Sequence, residues 1–319
     1  MPIPTPLPYV AGRSLNLIIT RTFNKYIHSK QLPVTIQKTF SITQSPVMVV
    51  TFDTQLGPMK AILKLYDRRF GPDFRTIGGR YSPHTSEDEA IWQEYVHQGR
   101  APEFFDRIKQ DQAASRLYWS PEHYYEDSWE GRAQYEGGLQ RRVLEYFDTE
   151  TATYERLADI QGTYIPTMLA HVYVSQPLPD LAKMEVYFRI PDILIQLINS
   201  CSLWQLADPS NAPKAKELEG IVQEAVDIAN AINDHGVVMK DCRPQNVIVE
   251  WDTHQPFIHD FAQCGFKEAC TDDPDDPNDQ GYQDVVCSHG NQRAIGMVVT
   301  TRVKRELGFQ LNIQYRHTL

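Results

Sequence analysis

The chain has 319 residues, 41% of them hydrophobic and 23% charged, and a formal net charge of −10. That size suffices for one large two-part domain or two smaller ones, while the acidic excess repels phosphate backbones and sets aside a general nucleic-acid binder. Five scattered cysteines without a Cys-x-x-Cys pair indicate neither a zinc cage nor a disulfide framework.

The opening stretch "MPIPTPLPYVAGRSLNLIIT" has prolines at positions 2, 4, 6 and 8 and only a short apolar run. It has no basic segment leading into a long apolar one, and no part of the chain reaches the ~18 apolar residues of a membrane span. The expectation is an extended proline-rich arm over residues 1–32, no membrane partner, and an intracellular location, cytoplasmic or nuclear. Strands follow. "PVTIQKTF", "PVMVVTF" and "MKAILKLYD" are β-branched, partly alternating runs separated by "SITQS" and "DTQLGP", which are turn material. They predict a three-stranded antiparallel meander over about 33–67.

Residues 68–140 form a long aromatic and charged insertion with scattered glycines, for which short helices are expected. From 141 the pattern is helical: Glu150, Tyr154 and Leu157 share one face, with Glu155 off it, and Gly162 is a stop signal. "MEVYFRI" and "DILIQLI" predict two more strands. "AKELEGIVQEAVDIANAINDHG" places Leu218, Ile221, Val222, Ala225, Ala229 and Ile232 on one face of an amphipathic helix ended by Gly236. An acidic loop, "TDDPDDPNDQG", and a last helix at about 291–307 complete the chain.

Between the amphipathic helix and the acidic loop stands the most informative stretch, "HGVVMKDCRPQNVIVEWDTHQPFIHDFAQC", residues 235–264. Asp241 and Asn246 are five apart, Val247-Ile248-Val249 is an apolar strand, a turn follows, and Asp260 emerges after Phe257-Ile258. Asp and Asn often do no more than cap turns, so the pattern matters more than the residues taken singly.

That pattern resembles the catalytic loop and Asp-Phe-Gly segment of the protein kinase-like superfamily, here as Asp241, Asn246 and Asp260-Phe261-Ala262. Two further positions agree. "AILK" ends in Lys64, similar to the family's Val-Ala-Ile-Lys, with Lys60 as its competitor, and the next long helix offers Glu150 to hold that lysine, with Glu155 as the weaker candidate. "LKLYDRRF", the long insertion and "YERLADIQGTYIP" look closest to a divergent group of kinase-like proteins typical of fungi. The likeness covers residues 33–310.

The resemblance implies an α+β, two-lobed protein kinase-like fold with a small β-rich N-lobe and an abbreviated helical C-lobe. Its divisions are the arm at 1–32, the N-lobe at 33–198 with its insertion at 68–140, and the C-lobe at 199–319. A ligand is expected in the cleft between the lobes.

The implied activity is ATP- and Mg2+-dependent phosphotransfer to a protein hydroxyl, of Ser/Thr type by default. Asp241 is then the base, and Asn246 and Asp260 are hard oxygen ligands for the metal. Arg243 steadies the transferred group, Lys64 contacts phosphates, Glu150 orients Lys64, and Gln196, Leu197 and Ile198 meet the adenine edge.

The sequence also departs from the family. No glycine stands in "FSITQSPV", where backbone N–H groups would approach phosphates. Met239-Lys240-Asp241 replaces His-Arg-Asp, and only 57 residues follow Ala262. Two alternatives follow: a pseudokinase that binds a nucleotide or a protein partner without turnover, and a small-molecule kinase of the aminoglycoside or choline type. Oligomeric state is not legible.

Overall fold

Runs of Val, Ile and Thr with alternating exposure suit a pleated surface with one buried face, and residues 31–65 form three such strands. In the computed structural model, which describes residues 3–27, 29–114, 119–174, 184–270 and 280–316, the chain divides into two units. Residues 1–147 with 168–196 make the first, and residues 148–167 with 197–319 the second.

The first unit opens with β1 (Ser14–Thr22), β2 (Gln31–Thr39), β3 (Val47–Thr54) and β4 (Gly57–Leu65). The expected meander is there, with Ile36 opposite Val50 and Val50 opposite Ala61. It is not free-standing, however. A short hairpin follows, β5 (Thr76–Ile77) and β6 (Arg80–Tyr81), and further on β7 (Met168–Val174) and β8 (Pro191–Gln196) complete a closed six-stranded barrel in the order β1-β2-β3-β4-β8-β7. Closure removes the exposed edges that a three-stranded sheet would leave. Leu17, Val34, Met48, Leu63 and Leu194 fill the interior, each no more than 1% exposed.

Two expectations change here. Part of the arm expected at 1–32 is β1, and the residues before it are stitched down: Tyr9 is 2% exposed and donates to Asp67 at 2.5 Å, while the Thr5 N–H donates to the His84 carbonyl at 2.8 Å. "MEVYFRI" is not a strand. Glu185–Tyr187 is a 3-10 turn with Val186 exposed, and the barrel position goes to the apolar run Met168–Val174 instead.

The insertion is helical. In α1 (Ser86–His97), Thr85 and Asp88 form a reciprocal cap at the N-terminus. Helix α2 (Ala101–Ala114) and α3 (Trp129–Arg156) follow, so α3 begins well before residue 141. Their apolar faces meet around Trp92, Phe104 and Ile108. Beneath them Glu136, 1% exposed, holds both Arg68 and Arg75, with Arg75 Nη2 at 2.6 Å. The chain passes to the second unit after Phe147.

The second unit contains the C-terminal turns of α3, then β9 (Ser200–Ser202), α4 (Leu203–Leu206), α5 (Ala215–Asp234), β10 (Val237–Met239), β11 (Val247–Glu250), β12 (Pro256–Ile258), β13 (Cys264–Phe266), α6 (Gln280–His289) and α7 (Asn291–Leu307). All six predicted face residues of α5 are buried, and Gly236 ends the helix region with φ 76°. Helices α5 and α7 pack closely at Gly296, where a β-carbon would sit 2.9 Å from Val226 and 2.6 Å from Tyr315. Strands β12-β11-β9 form one small sheet and β10-β13 another. The acidic run at 271–279 lies outside the described residues. No helix among the described residues is long and apolar enough to cross a membrane.

Candidate active site

The segment 237–266 is built from its two strand pairs outward. Buried Met239 ends β10, and Asn291 at the start of α7 clamps it from both sides. The Met239 N–H donates to Asn291 Oδ1 at 3.1 Å, and Asn291 Nδ2 donates to the Met239 carbonyl at 2.6 Å. Asn233 on α5 donates to the same Oδ1 at 2.9 Å. The chain is therefore fixed one residue before Lys240, whose N–H donates to the Gln263 carbonyl at 2.9 Å.

Asp241 follows, and a 3-10 turn at Pro244–Asn246 folds Asn246 back onto it. Asn246 Nδ2 donates to the Asp241 carbonyl at 2.9 Å and lies 3.5 Å from its Oδ2. Arg243 Nη2 is 3.1 Å from Asp241 Oδ2, with side chains 49% and 30% exposed. A pair this accessible orients a carboxylate more than it stabilises the fold.

Val247 then pairs with Ile258 across the β11–β12 hairpin, and the His259 N–H donates to the Asn246 carbonyl at 3.0 Å. The hairpin thus brings Asn246 and Asp260 to one end. Asp260 has φ 68°, a left-handed value that non-glycine residues avoid unless their surroundings hold them there.

Behind Asp260 lies a buried wall. Phe261 and Tyr154 are both fully buried and meet edge to face, centroids 5.4 Å apart. Glu150, 1% exposed, lies one turn before Tyr154 on α3, whereas Glu155 is exposed. Burial, reinforced by the negative charges of Glu150 and Asp260, pushes the Tyr154 phenol well above its ordinary range. Burial and Glu150 likewise push up the Cys264 thiol. Cys242 is pushed up to about 12 by burial and by Asp241, so neither cysteine is an activated nucleophile.

The other sequence-predicted residues fall elsewhere in the chain's organisation. Lys64, 7% exposed, stands on β4 of the first unit with its Nζ 5.5 Å from the Tyr66 ring, while Lys60 is exposed. Gln196 ends β8 and the first unit; Leu197 and Ile198 begin the last stretch of the second. The glycine-free turn at 41–45 is tied to the first unit's own backbone. The Asp73 N–H donates to the Thr43 carbonyl at 3.1 Å, and a β-carbon on Gly71 would lie 2.6 Å from the Gln44 carbonyl.

A separate surface cavity of about 670 Å³ sits in the first unit among Tyr95, Arg100, Glu103, Phe104, Arg107 and Glu130. It contains none of the predicted residues. Its cations are already matched, Arg100 to Glu130 at 2.5 Å and Arg107 to Gln134 at 2.7 Å.

Sequence reasoning missed Asn291 and Asn233, which set the position of the loop. Asn233 did leave a trace, as a polar residue on the buried side of α5.

No family model matches the chain, and no curated protein matches it. Among solved structures, the kinase domain of PknI from Mycobacterium tuberculosis is similar at a TM-score of 0.32 and 12% identity over 72% of this chain and 60% of that one. A doubly substituted form of the same domain gives 0.35 and 12%, over 86% and 74%. Over the first of these alignments the chain spans 60% of its neighbour's length.

Proposed function

We propose that the chain is an ATP- and Mg2+-dependent phosphotransferase of the protein kinase-like type. Asp241 is the base that takes the proton of a hydroxyl acceptor. The observation that carries this reading is the shared end of the β11–β12 hairpin, where Asn246 is held to the Asp241 carbonyl at 2.9 Å and to His259 at 3.0 Å, the residue before Asp260. Base and metal ligands are thereby set by backbone pairing, as catalysis by positioning requires.

The donor set fits the metal. Asn246 commits its NH2 group to the loop, and its oxygen is the atom a cation would take, alongside the Asp260 carboxylate. Two hard oxygens suit Mg2+ or Mn2+, which draw their remaining ligands from phosphates and water. A nucleotide phosphate would complete the shell. The bound metal would neutralise charge developing on the transferred group. Lys64, Glu150, Arg243, Gln196, Leu197 and Ile198 keep the roles assigned from the sequence as part of the same proposal. The acceptor is a protein hydroxyl or, as in aminoglycoside and choline kinases, a small-molecule hydroxyl.

One observation favours a second reading. The turn at 41–45 is glycine-free and tied down through Thr43, so it is poorly suited to wrap a phosphate chain. A pseudokinase that binds nucleotide without turnover would tolerate that.

Purified chain incubated with Mg2+ and ATP separates the two. Turnover abolished in Asp241→Ala supports the phosphotransferase. Thermal stabilisation by ATP without turnover supports the pseudokinase. Neither binding nor turnover, in the parent or in Lys64→Ala, rejects both.

A further inference from the structure

Tyr154 is fully buried, and its hydroxyl has no hydrogen-bond partner. Such a group has lost its hydration without compensation. Phenylalanine would fill the same space and keep the edge-to-face contact with Phe261 without that loss. The hydroxyl is therefore the part of this side chain that packing does not explain.

Two carboxylates belong to the chain around it. Phe261, against which the ring rests, directly follows Asp260. Glu150 stands one helical turn earlier on the same buried face of α3. The phenol is an O–H donor, and the two carboxylates near it along the chain are Glu150 on its own helix and Asp260, next to the Phe261 ring it packs on. Of these, Asp260 is the one with a left-handed backbone, a conformation that neighbouring contacts must hold.

We propose that Tyr154 is a positioning residue whose hydroxyl donates to the Asp260 carboxylate when that carboxylate takes up a divalent cation, fixing which oxygen faces the metal. This rests on the metal role given to Asp260 above. Carboxylates that bind metals are themselves generally hydrogen-bonded, and losing such a partner weakens metal binding by about 10–100-fold.

The test uses full-length Tyr154→Phe and Asp260→Ala beside the parent. Mn2+ is titrated in the presence of a non-hydrolysable ATP analogue, with free Mn2+ followed by its paramagnetic resonance signal, and the unliganded proteins are melted in parallel. Tyr154→Phe is expected to bind Mn2+ about ten-fold more weakly, with an unliganded melting temperature equal to or above the parent's. Equal Mn2+ affinity in Tyr154→Phe, with loss in Asp260→Ala, overturns the positioning role and leaves the phosphotransferase reading standing. A lowered melting temperature accompanying the affinity loss assigns Tyr154 to packing and also overturns the role. If the parent binds no Mn2+ with the nucleotide, the metal role of Asp260 falls, and this inference falls with it.

Discussion

Charged residues in the insertion of the first unit and charged residues at the β11–β12 hairpin of the second occupy opposite settings. Glu136 is 1% exposed and matched by Arg75 and Arg68, themselves 1% and 4% exposed. Burial raises the Glu136 carboxyl, and the two guanidinium groups more than offset that, leaving it below its ordinary range. Asp241, by contrast, has a side chain 30% exposed, with an accessible arginine beside it. A fully matched buried cluster has nothing left to offer a ligand, and its work is to hold helices around the barrel. A half-exposed acid at a strand mouth contributes little to folding and keeps its chemistry available. Depth and matching, more than the number of charges, distinguish support from site.

The contrast can be broken by exchanging readouts. Asp241→Asn should cost about 10²–10⁴-fold in phosphotransfer and leave the urea midpoint where it was. If the midpoint moves by more than the parent's experimental scatter, Asp241 belongs with the supports. Glu136→Ala should do the reverse, because it strands the buried Arg75 guanidinium and leaves Arg68 with Glu89 as its remaining carboxylate. Removing one partner of a buried ion pair costs about 3–5 kcal/mol, to be read from urea unfolding. The carboxyl sits below its unfolded value, so its contribution is present above about pH 4.3 and is lost as pH falls through the folded value. The penalty of the variant should therefore shrink in acid; a penalty that is flat from pH 7 to pH 3 would mean the pairs are not what holds Glu136.

Between these extremes lies Asn291, buried like a support but bonded to Met239, two residues before Asp241. Asn291→Ala would take this partner from the Met239 N–H and carbonyl and leave Asn233 Nδ2 with the Val237 carbonyl alone, at about 1–3 kcal/mol for a buried group left unsatisfied. It should also lower turnover, since the chain enters Asp241 two residues later. Loss of stability with full turnover in the surviving folded fraction would show that the clamp is not needed to place the loop.

What was legible in the sequence follows from the range of the forces involved. The face of α5 and the burial of Glu150 with the exposure of Glu155 come from a helical period, a local property. The convergence of Asn246 and Asp260 was legible because a hairpin carries its own register. The closed barrel was not. In β1 only Leu17 is buried, so no alternation marks the strand, and β7 is apolar almost throughout. "MEVYFRI" carried β-formers whose partner position was already taken by residues 168–174. Asn291 acts on a residue 52 positions away, and a lone asparagine announces no partner. The hydroxyl of Tyr154 was hidden by the ring that carries it, since the helical period registers only the apolar face.

The last prediction tests the comparison from its other side, because one carboxyl of the first unit is buried without being matched. Asp192 on β8 is 0% exposed and neither of its oxygens has a hydrogen-bond partner. The backbone of Tyr66 and Val174 faces it, but the Tyr66 N–H is committed to the Pro191 carbonyl at 3.1 Å. Burial, with the charge of Asp67 added, pushes its carboxyl well above the ordinary range. Asp67 itself is held ionised: Arg69 and the Tyr9 hydroxyl outweigh its burial, so Asp192 is the member of the pair that stays protonated. A raised folded value means that the stability tied to this group is fully present below about pH 3.9 and is lost as pH rises toward that value. Asp192→Asn removes the titration while keeping the shape. It should match the parent near pH 3.5 and gain on it as pH rises, by up to about 1.4 kcal/mol per pH unit until the folded value is passed. A constant difference between parent and variant from pH 3.5 to pH 8 would mean that Asp192 is ionised in the folded chain and matched by a partner, and the barrel end would then obey the same rule as Glu136.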